Sequence, residues 1–419
     1  MPYQTAFVVL FKNILRSRQE MLTSSRFMLG RASSRTAMVL NCGSSSVKYQ
    51  LFEDDNSLLR GSIENIGSPK WSHKTNSSAS TNSTGIIDYP GAIKLAIASV
   101  LEVSSDISCV GHRVVHGGPK LTHPTLVTDD VLDEIRECSQ LAPLHNPSNI
   151  RGIELAREAL KEVPQVACFD TAFHAHLPLK AYRYAIPREF ADSNNIRRYG
   201  FHGLSYSFIS DSVKHRRIIV AHLGSGCSIS AIVDGKSIDT SMGFTPMEGL
   251  VMSTRSGSID PGLILHIARS FNGDFDKVSQ LLNKQSGLTG ISGISSDMKE
   301  LLRLEKSEGD AHSQNAHEAI EVFVYAVQKY IGQYMASLDF DVDAIVFTGG
   351  IGENSPEIRE RIIRPFRGIG CRIDNARNMS AGASGYISTP DSKIKLIAIP
   401  TNEELQIARE AVRTASVFK

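Results

Sequence analysis

The apolar positions of the chain follow two patterns, short continuous runs and longer segments with a helical repeat. Short runs rich in Val, Ile and Leu, bounded by Gly or polar residues, predict buried strands. They occupy residues 37–43, 47–52, 109–117, 165–173, 217–224, 228–235, 344–350 and 394–400. Apolar residues recurring every three or four positions predict amphipathic helices over residues 91–102, 131–142, 149–163, 316–338 and 402–415. Strands and helices mixed along the chain predict an α/β fold.

Residues 72–84 interrupt this pattern with a polar run. The segment reads SHKTNSSASTNST. Ser, Thr and Asn in such density favour turns over strands and helices. We therefore predict a polar surface loop for this segment.

Two hairpin-like segments resemble each other and indicate an internal duplication. The first reads VLNCGSSSVKYQLFEDDNSLLRG over residues 39–61, and the second reads IVAHLGSGCSISAIVDGKSIDTS over residues 219–241. Each consists of a strand, a Gly/Ser turn, a second strand, a polar turn and a third segment. Two copies of such a hairpin, each opening its own α/β unit, predict two related domains around a cleft.

Three Gly-rich turns at predicted strand ends are candidate anion sites. They are the two Gly/Ser hairpin tips and the segment TGGIGENS at residues 348–355. Glycine lets the backbone come close to a ligand, and successive N–H groups in such a turn bind phosphate. One Gly/Ser turn is weak evidence, whereas three at strand ends are stronger. The chain has no GxxxxGK[ST] motif and no clean GxGxxG, which argues against a P-loop and against dinucleotide binding.

Composition narrows the classes of function. The chain has 419 residues, 41% hydrophobic and 21% charged, which is typical of a globular protein of two or three domains. Its formal net charge of +1 gives no reason to expect nucleic acid or a membrane surface as a partner. No apolar run is long enough to predict a membrane span. The six cysteines are scattered without a CxxC pair, so we expect reduced thiols and a cytoplasmic location.

Residues 1–37 differ from the rest of the chain. They contain six Lys/Arg residues, five serines and one acidic residue, Glu20. This composition is typical of a transit peptide for a mitochondrion or plastid. The interpretation that we prefer is a start assigned too early, with Met28 or Met38 opening the folded part. In either case we exclude the segment from the fold.

Phosphoryl transfer needs cations for the phosphate oxygens, a carboxylate for Mg²⁺ and groups that position the acceptor. Candidates beside predicted strand ends and turns are Arg113, Asp170, His202, Arg255, Glu403 and Glu404. Each residue type also has structural uses. Glu404 fits a capping box with Thr401, and a lone histidine is more often a hydrogen-bonding residue than a catalyst. The residues alone therefore lead to a two-domain, Mg-dependent phosphotransferase and no further.

Ten segments of the chain, taken together, resemble the acetokinase family. They read NCGSSSVKYQL, GHRVVHGG, LAPLHNP, FDTAFH, RRYGFHG, DTSMGFTPMEGL, TRSG, SGLTGISGISSDM, VFTGGIGENSPEIR and IPTNEELQIAR. They occur in the family's order and span essentially all of residues 38–419. This combination of motifs is highly specific.

The resemblance implies a fold, domain limits and a reaction. The fold is that of the acetate and sugar kinase, Hsp70 and actin superfamily, with two duplicated ribonuclease-H-like domains around a nucleotide cleft. The implied N-terminal domain comprises residues 38–175 plus 404–419, and residues 176–403 form a nucleotide-binding and dimerisation domain. The implied reaction is reversible, direct in-line phosphoryl transfer from ATP to acetate, giving acetyl phosphate and ADP. It needs Mg²⁺, with Mn²⁺ as an alternative, and family members are homodimers.

The resemblance also assigns roles to individual residues. The catalytic residues would be Arg113, His145, Asp170, His202 and Arg255. The acetate pocket would be lined by Arg113, Val115, Leu144, Phe201 and Pro246. ATP would be held by Ser44, Ser46, Lys48, His222, Gly224, Ser225, Gly226, Asp297, Met298, Lys299, Gly350, Ile351, Gly352 and Asn354. Asn41 and Glu403 would bind the metal, with Asp170 helping to organise it.

Several positions depart from the residues that are usual in the family. Ser225 stands in place of Asn, Leu204 of Thr, Tyr206 of His, Ser253 of Gly and Ser258 of Asp. The segment between Tyr206 and Arg217 is also shorter than usual. These changes bear on the catalytic rate and on nucleotide placement more than on the reaction class.

Three alternatives to acetate kinase activity stay open at this point. A propionate or butyrate kinase would use the same chemistry with a larger pocket, and Val115 favours the smaller substrate. A nucleotide switch or chaperone-like protein of the superfamily would not need Arg113, His202 and Arg255 in one site, and it would need a partner-binding domain. The third alternative is a catalytically weakened paralogue that only binds nucleotide.

Overall fold

The computed structural model describes residues 35–76, 81–82, 85–143, 145–307, 309, 311–380 and 385–417. The predicted extension at residues 1–37 therefore lies outside the described residues, apart from its last three. Of these, Thr36 and Ala37 are buried and already pair with the neighbouring strand. The first strand thus begins before Met38, which is one of the two predicted starts and the first residue of the implied N-terminal domain.

The chain forms two compact units, each built around one sheet. The first consists of the described residues up to 115, residues 124–168 and those from 404 onward; the second consists of residues 116–123 and 169–403. The sequence-based limit between them is residue 175. Residues 116–123 belong with the second unit, where the N–H of Gly117 donates to Oγ1 of Thr171 at 3.1 Å.

Within the described residues, the sheet of the first unit has eight strands. They are β1 (Thr36–Cys42), β2 (Val47–Glu53), β3 (Asn56–Glu64), β4 (Ser72–Thr75), β5 (Thr81–Asn82), β6 (Cys109–Val114), β7 (Thr125–Leu126) and β8 (Gln165–Phe169). Their order across the sheet is β5-β4-β3-β2-β1-β6-β8-β7. Strand β1 is antiparallel to β2 and parallel to β6. Its nearly continuous burial explains its apolar sequence.

Helices of the first unit pack on this sheet. They are α1 (Tyr89–Val103), α2 (Asp129–Glu137), α3 (Asn146–Ala159) and the C-terminal helix (Glu403–Val417), with a 3₁₀ turn at Cys138–Gln140. The apolar face of α1, including Ile93 and Ile97, shares a core with Leu40 and Leu51 of the sheet. The side chain of Asp88 caps α1 by accepting a hydrogen bond from an N–H of its first turn.

Within the described residues, the sheet of the second unit has six strands. They are β9 (Arg217–Leu223), β10 (Cys227–Val233), β11 (Lys236–Thr240), β12 (Ala344–Thr348), β13 (Gly385–Tyr386) and β14 (Lys395–Ala398). Their order is β11-β10-β9-β12-β14-β13, and β12 is parallel to both β9 and β14. All residues of β12 are buried, because parallel strands are covered on both faces.

The second unit is rich in helices. They are α4 (Leu179–Tyr182), α5 (Arg188–Ser193), α6 (Gly203–Ser212), α7 (Pro261–Ser270), α8 (Phe275–Lys284), α9 (Gly287–Ser292), α10 (Met298–Glu305), α11 (Ser313–Ser337), α12 (Gly349–Asn354), α13 (Pro356–Ile363) and α14 (Asn375–Met379), with 3₁₀ turns at Ala172–His174 and Arg364–Ile369. The longest, α11, matches the long helical repeat in the sequence, and one of its faces is buried.

The two sheets repeat one topology. The order β3-β2-β1-β6-β8 in the first unit corresponds to β11-β10-β9-β12-β14 in the second. Each copy also has a register shift after the fifth residue of its central hairpin strand, between Leu51 and Phe52 in β2 and between Ala231 and Ile232 in β10. An irregularity at the same place in both hairpins supports the duplication that their sequences indicate.

Part of residues 72–84 belongs to a sheet, contrary to the predicted surface loop. Strand β4 pairs with β3, and β5 pairs with β4. Residues 77–80 and 83–84 lie outside the described part of the chain. Polar sequence suits this position, because a strand near the edge of a sheet buries little side-chain surface. The neighbouring strand thus overrides the weak local preference of the segment.

Two further properties of the described chain bear on its environment. No helix in the described ranges combines the length and apolar character needed to cross a membrane. All six cysteines are buried free thiols, as their scattered positions predict.

Candidate functional site

The second unit contains a cavity of about 1280 Å³ near the ends of β9 and β12. Residues of the β9–β10 turn, of the segment 253–255, of the start of α10 and of helices α12 to α14 line it. Parallel strands β9 and β12 end at the same edge of the sheet, and open α/β sheets bind ligands at such edges. The cavity is therefore the natural place for a substrate in this unit.

Ten predicted site residues line this cavity: Gly224, Ser225, Gly226, Arg255, Asp297, Met298, Lys299, Gly350, Ile351 and Asn354. They come from four stretches that are far apart in sequence. Ser253 connects two of these stretches, because its N–H donates to the carbonyl of Ser225 and its hydroxyl to that of Ser296, both at 3.1 Å. His222 and Gly352 are buried, and each lies close in sequence to residues that line the cavity.

The turn between β12 and α12 requires glycine at one position. Gly349 has a φ of +76°, and a Cβ at this residue would lie 2.8 Å from the carbonyl oxygen of Leu223. The N–H of Gly349 and that of Thr401 both donate to Oε1 of Glu353, at 2.9 and 3.0 Å. Glu353 thus fixes the turn. Gly350, which has open space where its Cβ would be, lines the cavity.

We expect Gly349→Ala to lower the free energy of unfolding by about 2–3 kcal/mol, because alanine disfavours positive φ and its Cβ would contact backbone. Urea denaturation of the purified variants measures this loss. The adjacent Gly350→Ala is the matched control, with an expected change of about 0.5 kcal/mol or less and a higher KM for ATP. Equal losses of stability in the two variants would show that this turn does not need glycine specifically at residue 349.

Arg359 of α13 is fully buried and organises the wall of the cavity. Its guanidinium donates to the carbonyls of Gly352 and Glu353 at 2.8 Å, to Oδ1 of Asn378 at 2.8 Å and to the carbonyl of Asn378 at 2.7 Å. Burial lowers the pKa of Arg359 to about 10. The side chain therefore connects the end of α12 with Asn378, which lines the cavity.

Arg255 and His202 lie beside the same point, Gly226. A Cβ on Gly226 would lie 3.3 Å from Nε2 of His202 and 3.9 Å from Nη1 of Arg255. Arg255 is half-buried, and its guanidinium donates to the carbonyl of Pro246 at 3.0 Å. Burial lowers the pKa of Arg255, but a guanidinium stays charged at physiological pH.

The charge of Arg255 has no acidic partner in the described part of the chain. No carboxylate among the described residues forms an ion pair with it, although exposed arginines of the same unit are commonly paired. A partly desolvated cation is costly unless a counter-charge is supplied. This position is therefore suited to an anionic ligand.

His202 stands immediately before α6 in the left-handed conformation, with a φ of +57°. Its Nδ1 forms a hydrogen bond with Oγ of Ser228 at 2.8 Å. Its ring stacks on that of His222, with the ring centroids 4.2 Å apart. The backbone and both neighbours thus hold the imidazole in one orientation, with Nε2 towards Gly226.

The first turn of α6 also contacts the segments that carry the predicted carboxylates. The N–H of Gly203 donates to the carbonyl of Asp170 at 2.8 Å. The hydroxyl of Ser205 lies 2.8 Å from Oγ1 of Thr401, shortly before Glu403. This bond uses the Thr401 hydroxyl, which the capping-box alternative would direct to the C-terminal helix.

Two residues predicted for the acyl pocket lie in this unit. Phe201 is fully buried directly before His202, and Pro246 accepts the hydrogen bond from Arg255. The loop of Pro246 is fixed by Glu248, which accepts a hydrogen bond from Arg198 at 2.6 Å. The backbone of Pro246 thus lies next to the guanidinium of Arg255.

The first unit contains the predicted residues of the β1–β2 turn, of the end of β6 and of the start of α3. The β1–β2 turn carries Asn41, Ser44, Ser46 and Lys48, and Asn41 pairs with Lys48 across the hairpin. The turn is closed by a backbone hydrogen bond at 2.9 Å. Both Ser44 and Lys48 are exposed, so the tip has polar groups available to solvent.

Asn149 of α3 joins this hairpin to the segment after β6. Its Nδ2 donates to the carbonyl of Cys42 at 2.8 Å, and its Oδ1 accepts from the N–H of Val115 at 3.2 Å. Arg113 is half-buried on β6, and His145 immediately precedes α3. Leu144, the remaining predicted pocket residue, lies outside the described residues.

The metal donors present in the second unit suit magnesium. Among the described residues, no group of three or more His, Cys, Asp or Glu side chains is placed to hold a metal ion by itself. Asp170 is buried and Glu403 half-buried, and both carry oxygen donors. Mg²⁺ commonly binds through one or two carboxylates, with substrate phosphates and water as its other ligands. This donor set therefore fits Mg²⁺ that is bound together with a nucleotide.

Sequence reasoning missed three positioning residues, Asn149, Glu353 and Arg359. Two of them could have been recognised from the sequence pattern. Asn149 lies among buried positions of α3, and Arg359 among those of α13. A polar side chain on the apolar face of a helix must find partners inside the protein.

Residues 36–409 match the acetokinase family. The chain belongs to the acetokinase family. Among relatives of the chain, the acetate kinase of Thermoanaerobacterium thermosaccharolyticum is 45% identical over 401 residues, which cover 91% of this chain and 99% of that protein.

Solved structures of family members agree in fold. The crystal structure of a propionate kinase from Francisella tularensis has a TM-score of 0.84 and 41% identity, covering 90% of this chain and 99% of that one. The acetate kinase of Porphyromonas gingivalis also has a TM-score of 0.84, with 37% identity, covering 91% and 100%. These matches confirm the predicted fold class, an α/β fold with two related sheet units of the actin-like ATPase type.

The residues predicted to depart from the family pattern are accommodated in the structure. Leu204 is buried, and buried Tyr206 places its hydroxyl 2.5 Å from Oγ of Ser228. The hydroxyl of Ser258 accepts from the N–H of Gly249 at 3.0 Å. Ser225 is exposed and lines the cavity. The atoms nearest to a Cβ at Gly226 belong to His202 and Arg255 and to none of these residues.

Proposed function

We propose that the protein is an acetate kinase, which catalyses ATP + acetate ⇌ acetyl phosphate + ADP in the presence of Mg²⁺. Family membership supports the reaction class. The observation that carries the proposal is the unpaired guanidinium of Arg255, which lies with Nε2 of His202 beside Gly226 at the cavity. A phosphoryl group in transfer is an anion that needs such donors.

The cavity is proposed to hold ATP. Two stretches of its lining are Gly350, Ile351 and Asn354 of α12 and the start of α10 at Asp297–Lys299. Its volume of about 1280 Å³ is large enough for a nucleotide. A nucleotide is only moderately larger than the drug-sized ligands that protein pockets commonly hold. We assign the γ-phosphate to the end near Gly226, because Arg255 lies there.

Arg255 and His202 are proposed to stabilise the charge of the transferring group. Arg255 offers fixed N–H donors, and His202 offers Nε2, so both act by positioning and charge without forming a covalent intermediate. From the family resemblance we assign Arg113 to the acetate carboxylate and Val115, Leu144, Phe201 and Pro246 to its methyl group. His145, Ser44, Ser46 and Lys48 keep their predicted roles toward the phosphates.

Mg²⁺ is proposed to bind through Asp170 and Glu403, with Asn41 as the further predicted ligand. When bound with ATP, the ion neutralises charge on the phosphate oxygens. Asp170 is buried and its carbonyl accepts a hydrogen bond from the N–H of Gly203, so its backbone is held in place. Mn²⁺ prefers similar oxygen ligands and is the proposed substitute.

Acetate is the proposed acceptor, and a longer acyl chain is the second candidate. The similarity of the chain to a propionate kinase supports propionate as this second candidate. One methylene is worth about 1–3 kcal/mol in an apolar pocket, so propionate should be a poorer substrate and not an excluded one.

Hydroxylamine trapping of acyl phosphates, with acetate, propionate and butyrate in parallel, tests the proposed function. We expect the largest kcat/KM with acetate. Preference for propionate would move the assignment to propionate kinase. Binding of ATP without any acyl phosphate would contradict the proposal and favour a catalytically weakened paralogue.

A homodimer is proposed as the functional form, because α7 buries none of its residues within one chain. Its sequence PGLILHIARS is amphipathic, and Leu263 and Leu265 are exposed. An apolar helix face of this kind is typical of a protein interface. Light scattering of the purified protein should give twice the chain mass of 45.8 kDa. We expect Leu265→Glu to shift the mass towards the monomer, whereas a monomeric parent protein would contradict the proposal.

A cytoplasmic location is proposed from the six reduced thiols, which are typical of a reducing compartment.

A further inference from the structure

Three side chains of the second unit form a hydrogen-bonded row that ends at the candidate active site. The hydroxyl of Tyr206 on α6 lies 2.5 Å from Oγ of Ser228 on β10, and the same Oγ lies 2.8 Å from Nδ1 of His202. Tyr206 and Ser228 are completely buried. At the other side of the imidazole, Nε2 lies towards Gly226 and Arg255.

The number of hydroxyl hydrogens determines which group donates and which accepts in each hydrogen bond of this row. Ser228 has one hydroxyl hydrogen, and its Oγ has two partners among the described residues. If it accepted from both, its own hydrogen would be buried without an acceptor, so it donates to one and accepts from the other. Ser228 is the hydrogen-bond partner of the Tyr206 hydroxyl among the described residues. If Ser228 donated to Tyr206, the tyrosine hydrogen would be buried without an acceptor, which is costly. Burial also raises the pKa of Tyr206, so the tyrosine keeps its hydrogen.

The favoured arrangement is therefore Tyr206 donating to Ser228 and Ser228 donating to Nδ1 of His202. An imidazole that accepts at Nδ1 carries its hydrogen on Nε2 when it is neutral. The hydrogen of the ring then points towards Gly226, beside which the guanidinium of Arg255 lies.

We propose that Tyr206 and Ser228 are positioning residues that hold His202 as the Nε2–H tautomer, so that its neutral ring donates a hydrogen bond to the phosphoryl group. The inference rests on the proposed function for the identity of the acceptor, a phosphoryl oxygen. The tautomer itself is inferred from the row of side chains. Neither Tyr206 nor Ser228 needs to touch the substrate.

Ring ¹⁵N NMR of histidine-labelled protein without nucleotide reads the tautomer directly, with the His202→Gln variant assigning the signals. We expect a protonated Nε2 and an unprotonated Nδ1 for His202 in the parent protein. A hydrogen on Nδ1 would overturn the proposal. This measurement does not use activity, so it separates a failure of the proposal from a failure of the proposed function.

Two variants test whether the row sets the tautomer. Ser228→Ala removes the donor to Nδ1, and we expect mixed ring signals and a fall in kcat of roughly tenfold with KM for ATP within about twofold. Tyr206→Phe removes the donor that orients the Ser228 hydroxyl, and we expect kcat to fall by about threefold. Ser228→Thr, which keeps a hydroxyl, should restore the parent ring signals and most of kcat.

Tyr330→Phe is the matched control, because the Tyr330 hydroxyl also pairs with a serine, Ser258, at 3.1 Å. We expect it to leave the His202 signals unchanged. If Ser228→Ala and Tyr206→Phe both left the ring signals and kcat like the parent protein, the row would not determine the tautomer and the proposal would be wrong.

Discussion

Arg255→Ala should reduce kcat for acetyl phosphate formation by about 10³-fold or more, which is the loss expected when a guanidinium that stabilises a phosphoryl transition state is removed. The reason is the unpaired charge of Arg255 beside Gly226 and His202. Initial rates at saturating ATP and acetate measure this effect. The fold should be retained, because the side chain hydrogen-bonds only the carbonyl of Pro246 and Sδ of Met252 among the described residues, and it forms no ion pair with them.

Two control variants make this result specific. Arg255→Lys keeps the charge without the planar fork, and we expect it to recover only part of the lost rate. Arg216→Ala removes an exposed arginine of the same unit, paired with Asp234 at 2.7 Å, and should leave kcat unchanged. A rate for Arg255→Ala within tenfold of the parent protein would mean that this guanidinium does not contact the transferring group.

The second large effect concerns stability. Arg359→Met should lower the free energy of unfolding by roughly 3 kcal/mol, because it leaves buried carbonyls of Gly352, Glu353 and Asn378 without their donor. The loss of the buried charge offsets part of this cost. Since Asn378 lines the cavity, we also expect a higher KM for ATP.

Urea denaturation measures the stability of this variant against a matched control. Arg367→Met removes an exposed arginine paired with Glu360 at 3.1 Å, and its expected cost is about 1 kcal/mol or less. Comparable losses in both variants would show that the hydrogen bonds of Arg359 do not stabilise the wall of the cavity.

The sequence predicted the sheet cores well, because their signal is local. Strand β12 is a continuous buried run that ends in two glycines, and α11 has a long apolar repeat. The duplication of the hairpins around Gly43 and Gly224 is visible directly in their amino-acid sequences. Such elements keep the same structure in any surroundings that bury them.

The sequence predicted less where distant contacts decide. Strand β4 forms because β3 offers it a partner, although its residues favour a loop. Residues 116–123 belong to the second unit, where Gly117 contacts Thr171. Tyr206 has the length to reach Ser228, a contact that no spacing in the sequence shows.

The candidate site likewise contains residues that the sequence predicted and residues that it did not. The Gly-rich turns and Arg255 were predicted as residue types that suit phosphate, and the structure places these residues of the second unit at one cavity. Asn149 and Arg359 were missed, because their function lies in carbonyls that only the folded chain brings to them. The orientation of His202 likewise depends on Ser228 and His222, which lie on other elements.

Phosphorus NMR of a reaction mixture tests the central claim most directly. The mixture contains the purified protein, Mg-ATP and acetate, and it is compared with mixtures that lack acetate or contain the Arg255→Ala variant. We predict an acetyl phosphate signal that grows as the γ-phosphate signal of ATP declines, and its absence from both comparison mixtures. Conversion of ATP to inorganic phosphate alone, or equal acetyl phosphate formation by Arg255→Ala, would contradict the proposed site and its reaction.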